Sequence, residues 1–267
     1  GKIADLAFDS CTLGIFDSWS GVVAYACQIY FDFSAYGDLA LGLGFALGIR
    51  LPINFDSPYK SVNIAEFWRR WHISLSTWFR DYVYIPLGGS RGNIWMKIRN
   101  TMVIFLVSGF WHGANWTFLA WGFLNALYFL PLMLTKKNRK YLDVVAKGKV
   151  FPSFYEIWGM LITFSLTVLG WIFFRSNTIA DASLYIQRIL SKSLLTIPKF
   201  SGRFDALITI VLIILFVIAE WVARDKKYGL GDIVKIKSSF FRWLIYICIV
   251  VIILIFGKFG ENAFIYF

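Results

Sequence analysis

The sequence predicts an all-α, polytopic transmembrane protein with interfacial amphipathic helices and a broken helix around one histidine. Three observations carry that expectation. Of 267 residues, 58% are hydrophobic and only 16% charged, against about 45–50% and about 25% in soluble domains. The apolar residues gather into runs, with Lys and Arg between them, and the mean hydropathy is +0.63. Aromatic residues make up 19% of the chain, as expected where Trp and Tyr collect at bilayer interfaces. The net charge of +11 would otherwise point to nucleic acid. Its confinement to the connections is what the positive-inside rule produces, so a lipid bilayer and no nucleic acid is expected.

Residues 21–49 form the first element. The segment is long enough for the roughly 30 Å hydrocarbon core, but carries Gln28, Asp32, Ser34, Tyr36 and Asp38 at its centre. Such a middle belongs in a protein interior or a wet cavity rather than against lipid. Gly37, Gly42, Gly44 and Gly48 permit close helix packing or a break.

Residues 64–82 read as one amphipathic helix. At about 100° per residue, Ile64, Phe67, Trp68, Trp71, Leu75, Trp78, Phe79 and Tyr82 share a face, and only Ile73 breaks the pattern. Glu66, Arg69, Arg70, Ser76, Thr77, Arg80 and Asp81 take the other face. The helix suits the interface plane. Asn63 with Glu66 resembles a capping pair at its start. His72 falls on the border of the two faces and reads equally as an interfacial residue. Pro86, Gly88, Gly89 and Gly92 close the segment in a turn.

Residues 101–135 hold no formal charge and are too long for one straight span. A break is expected near Ser108–Gly109 or at Gly113, beside His112. A helix broken to line a cavity and a plain helical hairpin both fit. Three cleaner spans follow, at residues 155–174, 204–223 and 240–257. The connections 136–149 and 224–242 each hold six basic residues and read as cytoplasmic. The connection 175–203 holds five, so the bias is slight; a short amphipathic helix is expected there at 179–190. The chain opens at Gly1 in a loop, so an N-terminal portion is expected to be missing. The whole reads as one membrane-embedded domain over 1–267.

Only two histidines occur, His72 and His112. An ionisable group inside the 101–135 run carries a desolvation cost and is a candidate functional site by default; imidazole also suits proton transfer near neutral pH. A buried, hydrogen-bonded histidine without a chemical role fits equally. Other chemistries find little support. Gly42 to Gly48 matches a dinucleotide fingerprint only loosely and lies in a span. No His/Cys cluster offers metal ligands. Cys11, Cys27 and Cys248 show no paired spacing, and no Gly-x-Ser-x-Gly elbow occurs. What remains suits acyl transfer, with histidine as general base toward a hydroxyl.

Four segments are similar to a known family: Gln28-Ile-Tyr-Phe-Asp-Phe-Ser34, Glu66-Phe-Trp-Arg-Arg-Trp-His-Ile-Ser-Leu-Ser76, Arg80-Asp-Tyr-Val-Tyr-Ile-Pro-Leu-Gly-Gly89 and Trp111-His-Gly-Ala-Asn-Trp116. Together with Phe256-Gly-Lys-Phe-Gly-Glu-Asn-Ala-Phe-Ile-Tyr-Phe267 they resemble the membrane-bound O-acyltransferases, in the branch of bacterial polysaccharide O-acetyltransferases. The resemblance implies a polytopic inner-membrane protein with a tunnel or funnel through it, and no bound cofactor. His112 falls on the family's catalytic histidine and His72 on its second histidine. The acetyl donor would be cytosolic acetyl-CoA and the acceptor a polysaccharide, with a periplasmic or extracellular partner protein. Members are commonly nearly twice this length and the match starts partway through the pattern, so N-terminal spans are expected to be absent.

Combining both lines assigns His112 as general base. Trp111 and Asn115 flank it as substrate-binding candidates. Asn115, at i+3, would share its helical face if the helix resumes at His112; it would orient the imidazole or acyl oxygen, or bond a neighbouring helix. Asp32 and Asp38 would line the tunnel or tune a proton, or glue helices together. Arg69 and Arg70 would meet the donor's phosphates or membrane headgroups. Two other functions compete: D-alanyl transfer to cell-wall polymer, and a proton-coupled transporter using the same polar groups.

Overall fold

The computed structural model describes residues 15–140, 142–190, 203–226 and 231–256. Cys11, residues 257–267 of the C-terminal motif and residues 191–202 lie outside them. Among the described residues every regular element is helical: α1 (Ile15–Ala46), α2 (Ile64–Arg70), α3 (Ile73–Phe79), α4 (Ile94–His112), α5 (Trp116–Leu134), α6 (Phe154–Arg175), α7 (Ile179–Ile189), α8 (Arg203–Val222) and α9 (Ser239–Phe256). A π-helical turn, Arg80–Tyr84, continues α3. The chain divides into two compact units, Gly1–Ser201 and Gly202–Phe267. The second holds α8 and α9, and most of the described side chains on both are exposed apolar ones. Two of the expected spans, α5 and α6, are long and apolar enough to cross a membrane; the apolar stretches Ile210–Val222 and Ser239–Ile255 are shorter.

Helix starts follow local hydrogen-bond chemistry. The first N–H groups of a helix lack intrahelical partners, and a side-chain oxygen just ahead of them supplies one. Asn93 accepts from Met96 N at 2.9 Å, and Asn63 from Glu66 N at 2.9 Å. Ser153 with Glu156, and Thr178 with Asp181, form complete capping boxes on α6 and α7. The first helix closes where Gly48 takes φ 74 and Ile49 N donates to Gly44 O at 2.8 Å, a left-handed close that glycine adopts without strain. Its N-terminal half buries Val22, Tyr25, Ala26, Ile29 and Tyr30, packing against α6 and α7. Tyr185 of α7 donates to Ser18 O at 2.7 Å.

The uncharged run 101–135 is a helical hairpin, one of the two arrangements its length allowed. The helices α4 and α5 run antiparallel. A Cβ on Gly109 would strike the carbonyl of Phe118, and one on Gly122 the carbonyl of Phe105. Two glycines on facing helices thus let the backbones approach closely.

The amphipathic stretch 64–82 differs from the sequence expectation. It is not one helix but two short ones, broken where Trp71 is extended (φ −101, ψ 127) and His72 left-handed (φ 45, ψ 56). On α2, Glu66 of the expected polar face is buried with Ile64, Ala65 and Phe67, while Arg69 stays exposed. Glu66 tolerates burial because Val62 N donates to it at 2.8 Å and Arg70 Nε at 3.0 Å, satisfying a carboxylate that would otherwise be costly to dehydrate.

Candidate active site

His112 is the last residue of α4. Gly113 follows with φ 151 and ψ 155, a conformation open essentially to glycine alone, and the chain reverses into α5. The imidazole is half-buried in an aromatic box. It meets Trp121 edge-on at 5.3 Å, Phe174 at 4.9 Å and Trp111 at 4.9 Å between ring centroids. Its Nδ1 is buried and finds no hydrogen-bond partner among the described residues. An orphaned buried polar atom costs about 1–3 kcal/mol and calls for a physical explanation.

His72 occupies the α2–α3 break. Phe33 meets its ring edge-on at 4.8 Å. Nδ1 lies 3.2 Å from Asn54 Oδ1, which also accepts from Ser74 N at 3.1 Å and Ser74 Oγ at 2.9 Å. Burial brings the imidazole down from its usual 6.5 to about 4, so it is neutral at physiological pH. The two histidines lie within electrostatic reach of one another. A continuous set of rings joins them: Trp121 stacks on Trp171 at 6.1 Å, Trp171 meets Trp71 at 5.1 Å, and Trp71 meets Phe55 at 5.0 Å beside His72. Tyr59 locks this core, donating to Ala26 O at 2.7 Å and accepting from Trp171 Nε1 at 3.2 Å.

The model of the membrane-bound O-acyltransferase family matches residues 10–169, a span containing both histidines. The chain belongs to that family. Its relatives include a peptidoglycan O-acetyltransferase of Helicobacter pylori, 44% identical over 67% of this chain and 33% of the relative. The protein named probable alginate O-acetylase AlgI of Pseudomonas aeruginosa is 45% identical over 62% of this chain and 30% of its own length. A teichoic acid D-alanyltransferase of Streptococcus thermophilus is 35% identical over 62% of this chain and 42% of its length. The chain therefore spans about a third of the length of the first two.

The remaining candidates fall in different places. Trp111 is half-exposed against His112. Asn115 does not share a helical face with His112, because the helix ends there. It instead caps α5, accepting from Thr117 N at 3.1 Å, and its Nδ2 donates to Asn177 O at 3.0 Å, tying the hairpin turn to the α6–α7 connection. Asp32 and Asp38 are exposed on α1. Arg70 is turned inward, held by Asp56 Oδ2 at 2.7 Å and Glu66 Oε1 at 3.0 Å, so its guanidinium is committed to the fold. Arg69 is exposed, with Nη1 donating to Asn138 O at 2.8 Å. Among the described residues no three His, Cys, Asp or Glu side chains gather into a metal-sized group. Sequence reasoning passed over Asn54, Trp121 and Phe174. Asn54 lies outside any periodic segment, and the two aromatics look like ordinary span residues.

Proposed function

We propose that this chain carries the transfer centre of a multi-pass inner-membrane O-acetyltransferase that modifies an exported or cell-wall polysaccharide. One observation carries the reading: His112 stands at a hairpin turn with Nδ1 buried and unpartnered among aromatic rings, inside the segment matched by an acyltransferase family. With Nδ1 inward, the Nε2 edge is the one an acceptor hydroxyl can reach. The donor is a cytosolic thioester, acetyl-CoA. The hydroxyl oxygen attacks the thioester carbonyl carbon; a C–O bond forms and the C–S bond breaks. His112 takes the hydroxyl proton and passes it to the departing thiolate. The aromatic walls exclude water, which would otherwise hydrolyse the thioester.

Acetyl transfer is favoured over D-alanyl transfer because the acetyltransferase relatives are 44% and 45% identical and the D-alanyltransferase 35%. The acceptor reaches the site from outside, delivered by a periplasmic or extracellular partner protein. The break region and its exposed Trp78 and Tyr82 lie at the membrane interface, where such rings are favoured. The test is acetyl incorporation per unit of membrane-inserted protein. His112→Ala should lose about 10²–10⁴-fold, the usual contribution of a general base. The protein should still accumulate, since removing a polar group from an apolar site need not destabilise it. Near wild-type turnover in His112→Ala overturns the mechanism.

A further inference from the structure

The hydrogen bonds around Asn54 determine which nitrogen of His72 carries the proton. Ser74 N is a backbone donor and lies 3.1 Å from Asn54 Oδ1. Only an oxygen can accept there, so the amide orientation is fixed by a group that cannot reverse its role. The same oxygen lies 3.2 Å from His72 Nδ1. An amide oxygen cannot donate, so Nδ1 must be the protonated nitrogen. Ser74 Oγ, already donating to Asn54 at 2.9 Å, keeps lone pairs for Nδ1 at 3.4 Å; both neighbours of Nδ1 are acceptors.

We infer that Asn54 is a positioning residue that holds His72 in its Nδ1–H form, so that Nε2 presents a lone pair and the ring acts as an acceptor toward bound substrate. This rests on His72 sharing the transfer site with His112. Three features make the tautomer firm. The backbone at His72 is left-handed, with φ 45, and is held by Ile73 N donating to Asn54 O at 2.9 Å, so one asparagine fixes both the bend and the ring. Phe33, edge-on at 4.8 Å, blocks ring rotation. Burial keeps the imidazole neutral, so one nitrogen must be bare. His112 is the titratable group within its electrostatic reach; Asp56 and Arg70, on the neighbouring turns, are paired with each other at 2.7 Å. A histidine that only accepts, beside a general base, is suited to accept a hydrogen bond from an acceptor hydroxyl or from the N–H of a bound thioester arm, leaving proton removal to His112.

The test uses the protein in lipid nanodiscs with ¹⁵N-labelled histidine, His72 being assigned by loss of its signals in His72→Gln. The wild-type spectrum should show Nδ1 protonated and Nε2 bare; the reverse pattern overturns the inference without any variant of Asn54. Asn54→Ala should release the tautomer and lower kcat by about 10–100-fold, the range seen when the partner orienting a metal-bound imidazole is lost, with a smaller change in KM. Asn54→Asp keeps the acceptor for Ser74 N. It should restore much of kcat at high pH, while its carboxylate raises the imidazole pKa and moves the acid limb of the profile upward. If both variants keep the wild-type rate and profile while His112→Ala is inactive, the positioning role is wrong. If His112→Ala is active, the acyl-transfer reading fails instead, and the spectrum still decides the tautomer.

Discussion

Arg70 donates to Glu66 and Asp56 from a side chain only 11% exposed, while Glu66 is 3% exposed. Its Nη2 also reaches Asp143 O at 3.4 Å, bringing the 136–149 connection onto α2. Removing one partner of such a network strands a buried carboxylate, at a cost of about 3–5 kcal/mol when the pair is well buried. Arg70→Ala should therefore sharply reduce the amount of folded protein in the membrane. The adjacent Arg69 is exposed and donates to the Asn138 carbonyl at 2.8 Å. Arg69→Ala should reduce accumulation less than Arg70→Ala, because its side chain is exposed, and, as a contact for the donor's phosphates, should raise the KM for the acyl donor severalfold with kcat intact. Quantifying membrane-inserted protein alongside donor-dependence curves checks both; equal loss of protein in the two variants would refute the division. In sequence the two arginines are equivalent neighbours. What separates them is Asp56, held opposite Arg70 by the backbone pairing of Asp56 N with Arg70 O at 3.0 Å, and no local pattern announces that. His72→Ala, by contrast, should cost less than His112→Ala, acting through substrate contact rather than proton removal.

The hairpin shows how element-scale features divide into legible and hidden. An uncharged run too long for one span, with glycine beside a histidine, announces a reversal, and the capping residues announce most helix starts. Which glycines matter is another question, because it depends on what faces them. Gly109 and Gly122 face backbone carbonyls of the opposite helix, which cannot move aside, whereas Gly42 faces nothing within 4 Å. Gly109→Ala should force α4 and α5 apart, at about 1–3 kcal/mol or more, and shift His112 one turn away. Activity per inserted protein should fall at least about 10-fold, because misplacing a catalytic group by about 1 Å can cost on the order of 100-fold. Gly42→Ala should be neutral or slightly stabilising, by up to about 1 kcal/mol for replacing a mid-helix glycine. Thermal melting in detergent and acetyl transfer distinguish the pair; a fully active Gly109→Ala would mean the close approach is dispensable. The break at His72 was hidden for a related reason. A left-handed histidine is stabilised by Asn54, which is remote in sequence, and helical periodicity runs straight through it.

At the scale of the molecule, chain direction and charge combine. Because α4 and α5 are antiparallel, Lys97 and Arg99 at the start of α4 lie at the same end of the hairpin as Lys136, Lys137, Arg139 and Lys140 after α5. Glu156, at the start of α6, accepts from Ala146 N at 2.9 Å, keeping that helix start at the basic end. The opposite end carries His112, and Asn115 ties it to Asn177 beyond α6. This asymmetry was only faint in the sequence, since the 175–203 connection has five basic residues of its own; folding gathers six cations at one end of the hairpin. Asp32 and Asp38 show the reverse case, where polar residues within an apolar run indicate an enclosed setting but not which surface encloses them. Basic ends stay in the cytoplasm, so the basic end should face inward and the His112 turn outward, toward the acceptor. Cysteine labelling tests this after Cys11, Cys27 and Cys248 are replaced by Ser. In right-side-out spheroplasts a membrane-impermeant maleimide should label Asn177→Cys, whose exposed position uses only its backbone carbonyl. It should reach Lys137→Cys only after lysis. The opposite pattern would invert the chain in the membrane and place the transfer centre at the cytosolic face, where an exported acceptor could not meet it.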